Sequence, residues 1–172
     1  LYNGPNEWDG HAIWAPQVIR HPNGSYVMYF TGVSRFGTQQ TGVALSSDLW
    51  TWSKLPWPVC HPDPSWALWE EGTWSHGRDP FVFEYEGRHY QLLTAKTKTN
   101  RGAISCAVSD DFFTWEDIGP LYTHTNWHVM ESVQCFERNN KWYLFYTEEA
   151  VNGTSWMSSD SLFSGWDGST AT

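Results

Sequence analysis

Two acidic residues, Asp79 and Glu131, each lead a stretch of sequence that repeats along this 172-residue chain. A residue that recurs in every copy belongs to the scaffold, whereas two different carboxylates entering one scaffold position indicate chemistry built on it. In a narrow space, like-charge repulsion and desolvation keep one of two such carboxyl groups protonated, so that one can donate a proton while the other stays ionised. Without a gap, the three stretches align as Ala15–Ile19, Asp79–Phe83 and Glu131–Cys135.

The copies share more than these heads. Each continues through a turn, an aromatic-rich strand, a polar loop and a further strand that ends in a Ser/Asp turn and a Trp. We expect the Asp side chains to close Asx turns and the Trp rings to pack within the repeats. Periods of about 40–50 residues with several short strands each are typical of β-propeller blades. The Asp and Trp residues are Asp48, Asp111, Asp160, Trp52, Trp115 and Trp166.

Alternation and aromatic enrichment predict strands throughout, and no stretch sustains a helical apolar period. The sequence predicts an all-β chain with a single, partial propeller domain over residues 1–172. Its blades would lie at about 11–60, 77–122 and 128–167, with a Trp-rich loop at 61–76. A closed propeller needs about four blades or more. We therefore expect either further blades or association of copies through open blade edges, because unpaired edge strands favour association.

Composition excludes several partners. The formal net charge is −9 and the ten Lys and Arg residues form no cluster, so neither nucleic acid nor an anionic membrane is an expected partner. No apolar run approaches the roughly 20 residues of a membrane-spanning helix. Cys106 and Cys135 fall in predicted strands and should be small buried core residues. No cofactor or metal is predicted, and both a secreted and a cytoplasmic location stay open.

Several of the thirteen Trp residues are out of phase with the repeat and have two interpretations. A loop that delivers the chain to an innermost strand lies at a mouth of the propeller channel, where flat aromatic faces can stack on sugar rings. Packing of the loop around a small core accounts for the same residues equally well. The residues in question are Trp14, Trp66, Trp69, Trp74 and Trp127.

Together these features resemble the five-bladed β-propeller glycoside hydrolases, which include the family 43 arabinanases and xylosidases and the family 32 and 68 fructosidases. Trp14-Ala15-Pro16 is similar to family 43, and Arg78-Asp79-Pro80 is closer to family 32. Glu131 precedes a strand that reads Asn-Lys-Trp-Tyr-Leu-Phe-Tyr. The resemblance spans about residues 11–166 and implies three of the five blades of that propeller type.

The resemblance implies a role for each matching residue. Glu131 matches the general acid that protonates the leaving glycosidic oxygen, and Asp79 matches the carboxylate that holds the sugar hydroxyls and stabilises an oxocarbenium-like transition state. Arg78 would bind substrate or a carboxylate through its planar fork. The further residues expected to bind substrate are Trp14, Trp74, His76, Trp127 and His128.

The chain also departs from the family pattern. The family's third carboxylate, its base or nucleophile, heads an inner strand ahead of the Trp-Ala-Pro blade, and nothing before Ala12 forms such a strand. Asp9, in a polar lead-in, is a poor substitute. Glu131 is followed by Ser132-Val133, whereas the family usually has Pro shortly after the acid.

The histidines and a Glu pair near the predicted channel mouth are expected to stabilise or belong to surface loops. His76, His124 and His128 could bind sugar hydroxyls, or a structural axial ion as the resemblance allows. Loop hydrogen bonding is favoured because no paired-His metal spacing occurs. Glu148 and Glu149 are expected to lie in a solvated loop.

Two functional hypotheses follow from the sequence. The first is a glycoside hydrolase for arabinofuranosyl, xylosyl or fructosyl linkages of plant-type saccharides, either active or incomplete by itself. The alternative is a non-catalytic carbohydrate-binding or scaffolding propeller that associates through open blade edges. An oligo- or polysaccharide is the expected partner in both, and a homo-oligomer is the third expectation.

Overall fold

The computed structural model describes residue 4, residues 6–149 and residues 153–167. Within these residues the regular structure is all β, and no helix is long and apolar enough to span a membrane. The strands are β1 (Ala12–Arg20), β2 (Tyr26–Val33), β3 (Gln39–Ser46), β4 (Ser53–Lys54), β5 (Arg78–Tyr85), β6 (Arg88–Lys96), β7 (Gly102–Ser109), β8 (Glu116–Thr123), β9 (Met130–Arg138), β10 (Lys141–Glu148) and β11 (Thr154–Ser159).

The strands form three antiparallel sheets in chain order, β1-β2-β3-β4, β5-β6-β7-β8 and β9-β10-β11. The first strands of the sheets lie side by side, β1 against β5 and β5 against β9. Consecutive sheets that meet through their first strands are propeller blades around an axis, with β1, β5 and β9 innermost. The prediction of an all-β chain made of propeller blades is confirmed.

Each innermost strand carries a β-bulge near its head. At each bulge one residue has the left-handed backbone that L-residues rarely adopt: Ala15 (φ 42°), Asp79 (φ 58°) and Ser132 (φ 53°). Ser132 is therefore the equivalent of Ala15 and Asp79, and the gapless alignment that placed Glu131 there is wrong by one residue. Glu131 instead shares the preceding position with Arg78.

The misalignment of Glu131 arose because Trp142 and Tyr143 are adjacent aromatic residues and either can be matched with Tyr90. The alignment matched Trp142 with Tyr90, since both follow a turn. In the structure Tyr90 pairs with Phe83, and the residue in the corresponding place is Tyr143, which pairs with Phe136. Aligning the two turns rather than the aromatic residues gives the observed register.

Neighbouring blades pack face to face through buried apolar side chains. Cys106 and Cys135 take part as small buried residues with free thiols, as predicted. The first interface buries Val27, Tyr29, Val43 and Val82. The second buries Tyr90, Leu92, Cys106, Val133, Cys135, Trp142, Leu144 and Met157.

The third sheet displays, on its outer side, the face that the first two sheets bury. By strand register, its residues Phe136, Tyr143, Phe145 and Trp156 correspond to Phe83, Tyr90, Leu92 and Cys106 of the second sheet. The rings form a stack: the centroids of Phe136 and Phe145 are 5.6 Å apart with an interplanar angle of 13°. Phe136 is 43% exposed. We call these four residues the outer aromatic face.

The Ser/Asp turns follow the prediction in two blades. Asp48 accepts the N–H groups of Trp50 and Thr51 at 2.8 and 2.7 Å, and Asp111 does the same for Phe113 and Thr114 at 2.8 and 2.6 Å. These bonds lower the pKa of the Asp111 carboxyl to about 2.

The third turn differs, so the expectation of an Asx turn at Asp160 is wrong. Asp160 pairs with Lys141 at 3.1 Å, whereas the Ser159 hydroxyl accepts the N–H of Ser161, as the Ser hydroxyls of the other two turns accept the N–H two residues on. The Trp prediction holds in all three blades, because each indole N–H donates to a carbonyl of its own turn. The pairs are Trp52 with Leu49, Trp115 with Phe112, and Trp166 with Leu162.

Threonines in the second strands link adjacent blades. Thr31 accepts the N–H of Asp79 at 2.8 Å, and Thr94 donates to the carbonyl of Met130 at 2.9 Å. Both threonines are fully buried. By register the third member of this column is Thr147, which is exposed.

Replacing Thr94 with Val should therefore lower the free energy of unfolding by about 1–3 kcal/mol, because the Met130 carbonyl loses its buried donor. The matched Thr147→Val variant, at the exposed equivalent, should change it by less than about 0.5 kcal/mol. Urea unfolding of both variants checks the difference. Equal losses would contradict the inter-blade role of Thr94.

Candidate active site

The heads of the three inner strands enclose a cleft of about 270 Å³ on the axis. Gln17 joins its first two walls, because its side-chain amide donates to the Val82 carbonyl at 3.0 Å and accepts the Val82 N–H at 2.5 Å. Of the described residues that line the cleft, Asp79 is the carboxylate. Each strand contributes its left-handed residue and the two that follow: Ala15, Pro16, Gln17, Asp79, Pro80, Phe81, Ser132, Val133 and Gln134.

Asp79 is held from two neighbouring blades. Its backbone N–H donates to Thr31 of the first blade, and its Oδ2 accepts the backbone N–H of Ser132 of the third blade at 2.9 Å. The hydroxyl of Thr94 lies 3.5 Å from the same oxygen. With these contacts on Oδ2, the carboxylate is fixed in orientation beside the cleft.

Glu131 is in contact with Arg78. Because both residues immediately precede a bulge in adjacent inner strands, their side chains are lateral neighbours. Arg78 donates from Nη2 and Nε to Glu131 Oε1, at 2.5 and 3.2 Å. The Arg78 side chain is 9% exposed and that of Glu131 is 38% exposed. The structure thus brings together Arg78, Asp79 and Glu131, with Glu131 open to solvent.

The far side of the Arg78 guanidinium is also occupied. Nη1 donates to Gln39 Oε1 at 3.0 Å and lies 2.5 Å from His76 Nδ1. Burial, and then the nearby charges of Arg78 and Lys96, lower the pKa of His76 to about 4. Gln39 carried no signal in the sequence, because a Gln at the start of a strand belongs to no recognisable motif.

The out-of-phase Trp residues divide into two groups. Trp66 and Trp69 anchor the Trp-rich loop: the Trp66 indole donates to Asp117 at 2.9 Å, and Trp69 donates to the Gln39 carbonyl at 3.0 Å while stacking on His61. These two are loop packing. The other three retain exposed rings and can meet a ligand; Trp14, Trp74 and Trp127 are 36%, 63% and 54% exposed.

His128 is tied to a carboxylate that sequence reasoning missed. Glu148 is the last residue of β10, and its side chain is 11% exposed rather than solvated. It lies 2.7 Å from His128 Nδ1 and 3.6 Å from His124 Nε2. The expectation of a solvated loop at Glu148 is wrong, whereas Glu149 is exposed as expected. The two histidines thus fix the segment that carries Trp127.

Asp9 takes no part in the cleft. It is 1% exposed and forms an ion pair with Lys54, under the Trp8 ring that stacks on Phe30. Within residues 4, 6–149 and 153–167, no group of three or more His, Cys, Asp or Glu residues is arranged to hold a metal ion.

The low pKa of His76 predicts a pH dependence of stability. The unfolded chain binds a proton at this residue near pH 6.5, whereas the folded chain does so only near pH 4. Protonation therefore favours unfolding: the stabilisation is present above pH 6.5 and is lost as the pH falls towards 4, by at most about 3 kcal/mol. Urea unfolding between pH 7 and 4.5 should show a shallower pH dependence for His76→Asn than for the wild-type chain. Identical profiles would contradict the prediction.

Residues 3–164 match the model of the glycosyl hydrolases family 32 N-terminal domain. Over 121 residues the chain is 37% identical to sucrose-6-phosphate hydrolase of Bacillus subtilis, a match that covers 68% of this chain and 24% of the relative. The chain thus spans about a quarter of the length of the curated relatives it matches.

Solved structures share the fold. Fructan 1-exohydrolase IIa from Cichorium intybus superposes with a TM-score of 0.71 at 18% identity, covering 88% of this chain and 31% of that one. A levansucrase variant from Bacillus subtilis gives 0.72 at 17% identity, covering 92% and 52%. The family model that matches is that of family 32, to which Arg78-Asp79-Pro80 is similar, rather than family 43. The chain belongs to glycosyl hydrolase family 32, through its N-terminal propeller domain.

Proposed function

We propose that this chain contributes the proton donor and the transition-state carboxylate for hydrolysis of fructofuranosyl linkages, as in sucrose-type saccharides. The observation that carries the proposal is the placement of Asp79 and Glu131 at the heads of adjacent inner strands, with Glu131 open to solvent and Asp79 lining the cleft. The name of the Bacillus subtilis relative, which refers to sucrose 6-phosphate, favours a fructosyl over an arabinofuranosyl or xylosyl substrate.

The proposed reaction assigns one task to each group. Glu131 takes up a proton on Oε2, the oxygen that Arg78 leaves free, and gives it to the glycosidic oxygen as the bond to the anomeric carbon breaks. Ionised Asp79 holds sugar hydroxyls and offsets the positive charge that develops on the ring. Trp14, Trp74 and Trp127 offer exposed rings on which a sugar can stack.

A base or nucleophile must complete the reaction, because water has to reach the anomeric carbon. Among the described residues that line the cleft, Asp79 is the single carboxylate. The site is therefore proposed to be incomplete in this chain, which would hydrolyse both sucrose and activated fructosides slowly. The competing proposal, favoured by the same observation, is a domain that binds saccharides without turnover.

Glu131→Gln should lower kcat for sucrose by about 10²–10⁴-fold, because the amide cannot donate a proton to the leaving oxygen. An aryl fructofuranoside with an acidic phenol needs less protonation and should lose far less. Glu149→Gln, at the exposed neighbour of the His-bound Glu148, is the matched control and should leave both rates unchanged. Saccharide binding with no turnover in any of the three proteins would favour the binding domain instead.

A second copy of the chain is the partner proposed for the outer aromatic face. The two equivalent faces are interfaces between blades, so the third is shaped to bury against a protein sheet. Head-to-tail stacking on the first sheet is obstructed, because Trp8 already covers Phe30 there with ring centroids 6.0 Å apart. A two-fold pairing of outer aromatic faces remains. Contact would then involve this face rather than the open edges expected from the sequence.

Sedimentation of the chain should therefore show a dimer that dissociates in the Phe136→Ser/Phe145→Ser double variant, since about half of the apolar contact is removed. Trp50→Ser, which removes an isolated exposed ring outside this face, should leave the dimer intact. A wild-type chain that is monomeric at tens of micromolar would contradict the proposed partner.

A further inference from the structure

His76, in the Trp-rich loop, contacts the guanidinium of Arg78. It lies two residues before Arg78, the first residue of β5, and its Nδ1 is 2.5 Å from Nη1 of Arg78. The ring of Trp74 meets it edge-on, with centroids 6.4 Å apart and an interplanar angle of 84°. His76 is half-buried, whereas Trp74 is 63% exposed. The loop thus closes over one side of the Arg78 guanidinium.

This contact determines the tautomer of His76. A guanidinium has five N–H donors and no acceptor, so Nδ1 of His76 must be unprotonated and accept the bond, and the ring proton must sit on Nε2. A charged imidazole would both lose this acceptor and repel Arg78. The lowered pKa of His76, with burial as its first cause, agrees with a neutral ring at this position.

The guanidinium is thereby held from both sides. Nη1 is shared between His76 and the fully buried side chain of Gln39, while Nε and Nη2 reach Glu131 Oε1. Because the group is planar, fixing Nη1 fixes the direction in which Nε and Nη2 point. Arg side chains otherwise have several rotatable bonds, and ordering them costs conformational entropy.

We infer that His76 is a positioning residue: it holds Arg78 so that the guanidinium grips Glu131 by Oε1 and leaves Oε2 to face the leaving oxygen of the substrate. His76 acts on orientation alone, because among the described residues no hydrogen bond joins it to Glu131 or to a residue that lines the cleft. Its catalytic consequence rests on the proposed hydrolase function, whereas its structural half can be tested without turnover.

Two variants separate the acceptor from the shape of the ring. His76→Leu introduces an apolar side chain of similar size and removes the acceptor. His76→Asn places Oδ1 close to the position of Nδ1 and keeps an acceptor for Arg78. Thermal unfolding of both establishes that they are folded, and His76→Ala replaces the Leu variant if that one is not.

The structural readout is the Nε–Hε signal of Arg78 in nitrogen-edited NMR. In the wild-type chain and in His76→Asn this proton should exchange slowly with water, and in His76→Leu it should exchange at least about tenfold faster, because the guanidinium is free to leave Glu131. Equal exchange in all three proteins, or an Asn variant as fast as the Leu variant, would overturn the inference whether or not the chain is an enzyme.

The catalytic readout uses the same proteins. His76→Leu should lower kcat for sucrose on the order of 10–100-fold, because misplacement of a catalytic group by about 1 Å has this effect. Its KM should change by less than about threefold, and an aryl fructofuranoside with an acidic phenol should be affected little, since it needs little proton donation. His76→Asn should restore kcat. If Arg78 exchanges slowly in the wild-type chain and in His76→Asn but fast in His76→Leu, and no protein turns over substrate, the positioning role is upheld and the hydrolase function is overturned. A Leu variant with wild-type kcat would overturn the catalytic role of His76.

Discussion

The bulge at the head of each inner strand is the constraint on which the rest of the site depends. A left-handed residue there bends the strand. The bulge residue then faces the bulge residue of the neighbouring blade, and the residue before it faces the residue before that bulge. Asp79 occupies one bulge at φ 58°, which brings its carboxylate to the backbone N–H of Ser132 at the next bulge. The preceding column places Arg78 beside Glu131. The backbone of the bulge repeats in every blade, whereas the side chains at the bulge position and at the position before it differ from blade to blade.

Charge and burial then determine how Arg78 and Glu131 interact. Arg78 is almost fully buried and is satisfied on both edges, by Glu131 on one and by Gln39 and His76 on the other. A buried cation requires such partners, because leaving it unpaired costs several kcal/mol. The ion pair therefore serves stability and orientation together, while the solvent-open side of Glu131 remains available to a substrate. Blade packing supplies the rigidity that this arrangement needs, and on the third sheet the equivalent packing surface, the outer aromatic face, is not covered by the described residues.

The sequence predicted the all-β propeller blades, because turn residues and aromatic strands recur with a regular period. It also placed Asp79 and Glu131 at strand heads, where the structure has them. It misplaced Glu131 by one residue, because the alignment followed the aromatic residues, and Trp142 and Tyr143 are both aromatic; the turns Glu86-Gly87 and Asn139-Asn140 give the observed register. Glu148 was missed for another reason: its burial depends on the fold of the distant segment around His128. Gln39 could not be found at all, because its role arises only from its contact with Arg78 across two blades.

We propose above all that a fructosyl group occupies the axial cleft at Asp79 and presents its glycosidic oxygen to the neighbouring Glu131. A crystal structure of the Glu131→Gln chain soaked with sucrose tests it most directly. The account predicts a fructosyl ring in the cleft, with its hydroxyls on the Asp79 carboxylate and its glycosidic oxygen within hydrogen-bond distance of the side chain at position 131. Sucrose bound only on the Trp-rich loop or on the outer aromatic face, with the cleft empty, would contradict it.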